Sequence, residues 1–192
     1  MIVIEDTAEL QIRNIPNLVR LETRQSGVEE CKEITIRDLI RASLRMRPSR
    51  IIVGEVRGAE AFEFLSVLNT GHDGSLCSCH ANSTKDTIDR IVTMVLMGTE
   101  LPMSAIRRQI ASGIDLIVYL GRLRDKSRRL LEITEVTGME GDQVMLNPLF
   151  LFRETGESDG TVIGTQEKIG EMKRVEKFQR SGICPETEVV IV

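Results

Sequence analysis

The stretch Ile51-Ile52-Val53-Gly54-Glu55-Val56-Arg57-Gly58 decides how the rest of the chain is read. Three branched aliphatic residues run without polar alternation into a glycine, a carboxylate and an arginine. Such a run suits a strand covered on both faces, as in the parallel sheets of α/β proteins, where ligand chemistry gathers beyond the carboxyl ends of the strands. Glu55 and Arg57 are thereby placed on a functional rim. The same pattern stands at the start, where Ile2, Val3 and Ile4 run into Glu5 and Asp6. A third stretch, GHDGSLCSCHANS over 71–83, holds both histidines, His72 and His80. Two acidic strand ends and a histidine-bearing loop point to phosphate and metal chemistry, because Mg²⁺ takes oxygen ligands and a reacting water needs a base.

Composition narrows the classes. At 192 residues and 41% hydrophobic, the chain can bury a core as one domain, or as a domain with a small appendage. A net charge of −4, a single tyrosine and no tryptophan leave no basic footprint and little stacking platform, which argues against nucleic acid as a partner. Cys31, Cys77, Cys79 and Cys184 show no disulfide-rich spacing and fit reduced thiols in a cytosolic protein. No apolar run approaches the roughly 20 residues that span a bilayer, and the start lacks the order of a signal peptide. Zinc is disfavoured: the C-x-C beside His80 is not the usual C-x-x-C pairing, and alternating strand residues point apart. The cysteines are expected to pack as small hydrophobes, and His72 to shape a turn between Gly71 and Gly74.

Along the chain, 7–33 reads as an extended, largely exposed connection that includes the strand-like NLVRLETR. Ile36, Leu39, Ile40 and Leu44 then recur at helical spacing, with Thr35 as cap and Pro48 as stop. By default Arg37, Arg41, Arg45 and Arg47 form the solvated face of that helix, one or two of them with the option of reaching a nucleotide or a neighbouring subunit. A helix over 59–69, a short strand over 75–79 and a helix capped by Ser83 or Thr84 follow. A further helix begins near Pro102 and ends at Gly113, before the strand IDLIVYL. From Arg128 the runs LLEITEVT, QVMLNPLFLF and GTVIG, parted by MEGD and ESDG, predict an antiparallel meander. A charged helix is expected over 167–180, followed by an apolar tail over 187–192.

Phosphoryl transfer needs a cradle for phosphates, a metal, a group that orients water and a cation for the developing charge. Glu55 can polarise water, Glu5 and Asp6 can order a Mg²⁺ hydration shell, His80 and Asn82 can touch the γ-phosphate, and arginines such as Arg57 can neutralise charge. The cradle itself, GxxxxGK[ST], is missing: the dipeptide Gly-Lys does not occur in the 192 residues.

VIEDTAELQ and RPSRIIVGEVRGAEAFEFLSVLNTGHDGSLCSCHANS closely resemble the Asp box, atypical Walker B and His box of the type II/IV secretion traffic ATPases, in the CpaF/TadA-like and VirB11 branch. The resemblance covers roughly 2–120. It implies an α/β fold: a partial RecA-like P-loop NTPase core over 1–127, without its P-loop strand, and a small C-terminal antiparallel meander plus helix over 128–192. It further implies an ATP- and Mg²⁺-dependent hexameric motor for type II/IV secretion or Flp/type IV pilus assembly. Such a motor works at the inner face of the cell membrane with platform proteins. On matching positions Glu55 is the catalytic glutamate, Glu5 and Asp6 the Asp box acids and His80 the His box histidine. Arg20 and Arg24 lie where the family places phosphate-reaching arginines. Gly54 stands where many Walker B strands carry an acid, so Glu55 and the Asp box share the work. The other reading of the same residues is a non-catalytic oligomerisation or docking module.

Overall fold

The computed structural model describes residues 1–25, 27, 32–180 and 182, and builds them around two sheets. The first is parallel, in the order β2-β1-β3-β4, from β1 (Ile2–Glu5), β2 (Val19–Glu22), β3 (Ile51–Val53) and β4 (Leu76–Cys77). Its central strands are the two aliphatic runs, in register with Ile4 opposite Val53, and every residue of both is buried. Burial on both faces is what removes the polar alternation from these strands.

Helices α1 (Ile36–Leu44), α2 (Ala61–Leu68), α3 (Thr84–Leu96) and α4 (Met103–Gly113) match the helical spacings. Thr35 caps α1 in a reciprocal box with Asp38, satisfying two amides, and Ser83 caps α3 by accepting the Asp86 amide. The faces they bury, Ile40, Leu65, Val67, Met94, Val95, Ile106 and Ile110, are essentially inaccessible to water and share one core with Ile4, Ile51 and Val53.

The second sheet is an antiparallel meander of β5 (Leu116–Arg122), β6 (Arg128–Glu140), β7 (Gln143–Ser158) and β8 (Thr161–Lys168). β5 falls within 1–127, yet its partner is β6, with Leu116 opposite Glu135. Ile117 and Val136 carry the main core into this sheet, and α4 packs on β6 and β7.

The strand-like NLVRLETR does form a strand, since Val19–Glu22 pairs with β1 at the sheet edge and Arg24 bridges Ile34. One expectation is corrected. The helix expected over 167–180 is only α5 (Glu176–Arg180); β8 continues to Lys168, and Ile169 still donates to the Leu149 carbonyl at 2.8 Å. The cause is Glu135, 1% exposed on β6. Its carboxylate accepts the backbone amides of Lys173 (3.0 Å) and Arg174 (2.6 Å) and the side-chain amide of Asn147 (2.9 Å). Arg174 in turn donates to the carbonyls of Ala111, Ile114 and Val136, closing the end of α4. Amides claimed by a buried carboxylate are not available to a helix. The tail over 187–192, Cys31 and Cys184 lie outside the described residues.

Burial pushes the Glu135 carboxyl up, but the Arg174 and Lys173 amides, the Asn147 amide and the Arg174 charge outweigh it and hold it below its usual range. Its ionisation therefore stabilises the fold above the ordinary carboxyl range, and that contribution is lost as pH falls through the lowered native value. Glu135→Ala is expected to cost about 2–3 kcal/mol in urea unfolding by leaving buried donors unsatisfied. Hydrogen exchange should show the Lys173 and Arg174 amides losing protection at the same time. In Glu135→Gln, the deficit against wild type should shrink between neutral pH and about pH 3, as read from unfolding midpoints; a pH-independent deficit contradicts the role of the charge.

Candidate functional site

The rim is assembled by the pairing of β1 with β3. Gly54 N–H donates to the Ile4 carbonyl at 2.8 Å, so the acids that follow the two strands emerge side by side. A Cβ on Gly54 would lie 3.0 Å from Glu5 Cγ, which is why glycine precedes Glu55: the room an acid would take is filled by Glu5 from the neighbouring strand. β3 is extended past Val53 by Val56 N–H to the Ser78 carbonyl (2.9 Å) and Ser78 Oγ to the Gly54 carbonyl (2.5 Å), which draws the His80 segment against Glu55.

Glu55 is the hub. Its Oε1 lies 3.2 Å from His80 Nε2, and its Oε2 lies 3.7 Å from Arg57 Nε. Arg57 also pairs through Nη2 with Asp6, whose Oδ1 accepts the Thr23 hydroxyl at 3.2 Å. Asp6, Arg57, Glu55 and His80 thus form one continuous polar chain across the ends of β1, β3 and β4. All four border a single cleft of about 1140 Å³.

The other predicted residues divide. Glu5 borders the same cleft but is 4% exposed, and its Oε1 accepts the amides of Glu9 (2.9 Å) and Leu10 (2.8 Å). Arg20, 3.6 Å from Glu5 Oε2, donates to the carbonyls of Leu10 and Ile12. Together these two residues shape the loop after β1. Arg24 borders the cleft with its guanidinium on the Lys32 carbonyl. Asn82 is not among them; it borders a separate groove along α3 with Asp86 and Arg90. His72 is spent on a turn, its carbonyl accepting from Ser75 between Gly71 (φ 84°) and Gly74 (φ 78°), backbone that glycine adopts without strain. Cys77 and Cys79 both pack against the core, and burial pushes both thiols up.

Two residues, Glu60 and Glu63, were not singled out from sequence, and Arg37 was named there only as one of four candidate arginines. Glu60 Oε1 accepts the amides of Arg57 (2.7 Å) and Gly58 (2.9 Å) and so fixes the turn that aims Arg57; its signal is an acid at the start of α2. Glu63 on α2 is 6% exposed and receives Arg37 and Arg41 from α1. Arg37, read by default as part of a solvated face, borders the cleft.

Comparison with known proteins gives the family. A putative conjugal transfer protein of Mycobacterium tuberculosis (strain ATCC 25618 / H37Rv) is 41% identical over 141 residues, 73% of this chain and 40% of that protein. The type IV secretion system protein VirB11 of Brucella suis biovar 1 is 40% identical over 124 residues, 62% of this chain and 34% of that one. PtlH, a type IV secretion system protein of Bordetella pertussis, is 33% identical over 138 residues, 69% of this chain and 41% of the relative. The crystal structure of the VirB11 ATPase from Brucella suis, in complex with sulphate, matches with a TM-score of 0.62 at 35% identity, over 70% of this chain and 40% of that one. The chain therefore matches 34–41% of the length of these relatives. A family model described as type II/IV secretion system protein matches residues 1–183, and the chain belongs to that family.

Proposed function

We propose that this chain forms the catalytic rim of an ATP-hydrolysing motor for type II/IV secretion or pilus assembly. The observation that carries the reading is the Glu55 hub: a strand-end carboxylate held between a histidine and an arginine, in a cleft it shares with Glu5 and Asp6 from the neighbouring strand end. Glu55 takes the part of the group that orients and deprotonates the attacking water. His80, 93% exposed at its side chain, is placed to leave Glu55 when a phosphate arrives. Arg57 can pass from the carboxylates to developing charge on a phosphoryl group, since its guanidinium fork suits phosphate oxygens.

Oxygen donors alone at the acidic rim suit Mg²⁺, and among the described residues no group of three His, Cys, Asp or Glu is placed to coordinate an ion directly. Asp6 would hold the ion through its water shell, with Glu5 keeping the loop beneath it in place; Mg²⁺ would supply charge neutralisation to the phosphates. Arg20 and Arg24 serve this site as scaffold, and Asn82 answers to phosphate only if the loop after β4 moves. The phosphate cradle, which the 192 residues do not contain, comes in this reading from a segment outside them. In the working motor six copies form a ring at the cytoplasmic face of the inner membrane, docked on secretion or pilus platform proteins. No described helix is long and apolar enough to cross a membrane.

In the full-length protein, Glu55→Gln is expected to lower kcat by about 10²–10⁴-fold, the usual reach of a general base, while ATP binding persists. Steady-state hydrolysis alongside nucleotide titration checks this, and wild-type turnover in the variant would remove Glu55 from the mechanism. The 192-residue chain by itself is expected to bind ATP weakly and to turn it over little. Robust hydrolysis by that chain, lost in Glu55→Gln, would show that a cradle outside it is not needed.

A further inference from the structure

We infer that Arg37 is a further phosphate-contacting residue of the cleft and that buried Glu63 is its positioning residue, an assignment that rests on the nucleotide-hydrolysing reading of that cleft. Three arginines border the cleft. Arg24 has its guanidinium on the Lys32 carbonyl, and Arg57 lies between Asp6 and Glu55. Arg37 is bound through Nε alone, 2.5 Å from Glu63 Oε1, and among the described residues its terminal nitrogens Nη1 and Nη2 have no partner. That leaves the outer edge of a guanidinium fork, the part that matches two phosphate oxygens, uncommitted on a residue that borders the cleft.

The charge count around Glu63 points the same way. Arg37 and Arg41 both use its Oε1, Arg41 at 2.7 Å, while Oε2 is buried without a hydrogen-bond partner among the described residues. One carboxylate therefore faces two cations. A buried acid needs one such partner to be tolerated; the second leaves a surplus positive charge. Arg41 does not border the cleft, so the surplus is usable only at Arg37. Glu63, buried on α2, holds the Arg37 side chain by its inner nitrogen and spares the fork the entropy of ordering when an anion binds. The ligand this suits is the polyphosphate of a nucleotide; a nucleoside monophosphate presents too little charge to draw on it.

The test uses the full-length protein, fluorescent N-methylanthraniloyl ATP and AMP as probes, and Arg37→Gln beside Arg41→Gln. Each variant leaves Glu63 with one arginine, so the two are matched in what they do to the buried acid, which urea midpoints check. Arg37→Gln is expected to raise the Kd for the ATP probe about tenfold, the loss of one charge-assisted contact, and to move the AMP probe by less than about twofold. Arg41→Gln should leave both near wild type, and Arg37→Lys, which keeps the charge without the fork, should fall between. Unchanged ATP affinity in Arg37→Gln, with wild type binding ATP and losing turnover in Glu55→Gln, sinks this assignment alone. Equal weakening by Arg41→Gln also overturns it, since both arginines would then act only through the packing of α1 on α2. A wild-type protein that binds no ATP overturns the reading of the cleft and this inference together.

Discussion

The rim depends on one close approach: Glu5 of β1 lies in the space that a side chain on Gly54 of β3 would occupy. Parallel pairing brings the two strand ends level, and the missing Cβ lets a buried carboxylate sit between them. Glu5 then captures the amides of Glu9 and Leu10, so the chain after β1 curls back over the sheet. Asp6, the next residue, is left facing the cleft, within reach of Arg57. Two adjacent acids thus differ in setting because of where β1 ends: Glu5 is buried and holds the loop, while Asp6 is exposed and paired to Arg57.

The aliphatic runs of β1 and β3 and the capped helices were legible because burial and capping leave local marks: uninterrupted branched residues, and threonine or serine ahead of an amphipathic repeat. The acids and the histidine at the strand ends were legible for the same reason, since residues that follow a strand must emerge at its rim. What escaped was set by partners distant in sequence. Glu135 looks like one exposed acid of an alternating strand, yet it is buried and unwinds a segment that is charged and helical in composition. Glu63 sits in an otherwise apolar helix and gives no sign that α1 will deliver two arginines to it. Arg20 sits at a motif position associated with phosphate, while its nitrogens are spent on the loop carbonyls of Leu10 and Ile12. A motif shows where a side chain starts, and the hydrogen bonds around it decide where its charge is used.

The two sheets are joined at more than the apolar core. Lys177 on α5 reaches Asp115 ahead of β5 at 2.7 Å and Asp73 ahead of β4 at 3.0 Å, so the end of the described chain touches the loop that leads to His80. Its ammonium is raised above the usual lysine range: burial works against the charge, and the two carboxylates more than offset it. The segment after the antiparallel sheet is thereby tethered to the GHDG turn as well as, through Arg174, to the carbonyls at the end of α4. A shift of β4 relative to β3 would have to carry this tether with it.

Charge balance at the rim constrains how a polyanion can enter. Asp6 and Glu55 share Arg57, and Glu9, Glu33 and Glu60 border the same cleft. Phosphates arriving among these carboxylates meet repulsion unless cations are freed or added. Arg57 can be freed only by leaving Asp6 and Glu55, which restores two bare carboxylates at the moment a third anion arrives. A divalent cation held by Asp6 through water would resolve the conflict by offsetting the phosphate charge, and Arg57 would then be released from Asp6. In the proposed reading metal and nucleotide would therefore be coupled: the pairing of Arg57 with Asp6 would disfavour either one alone and would yield when both came together.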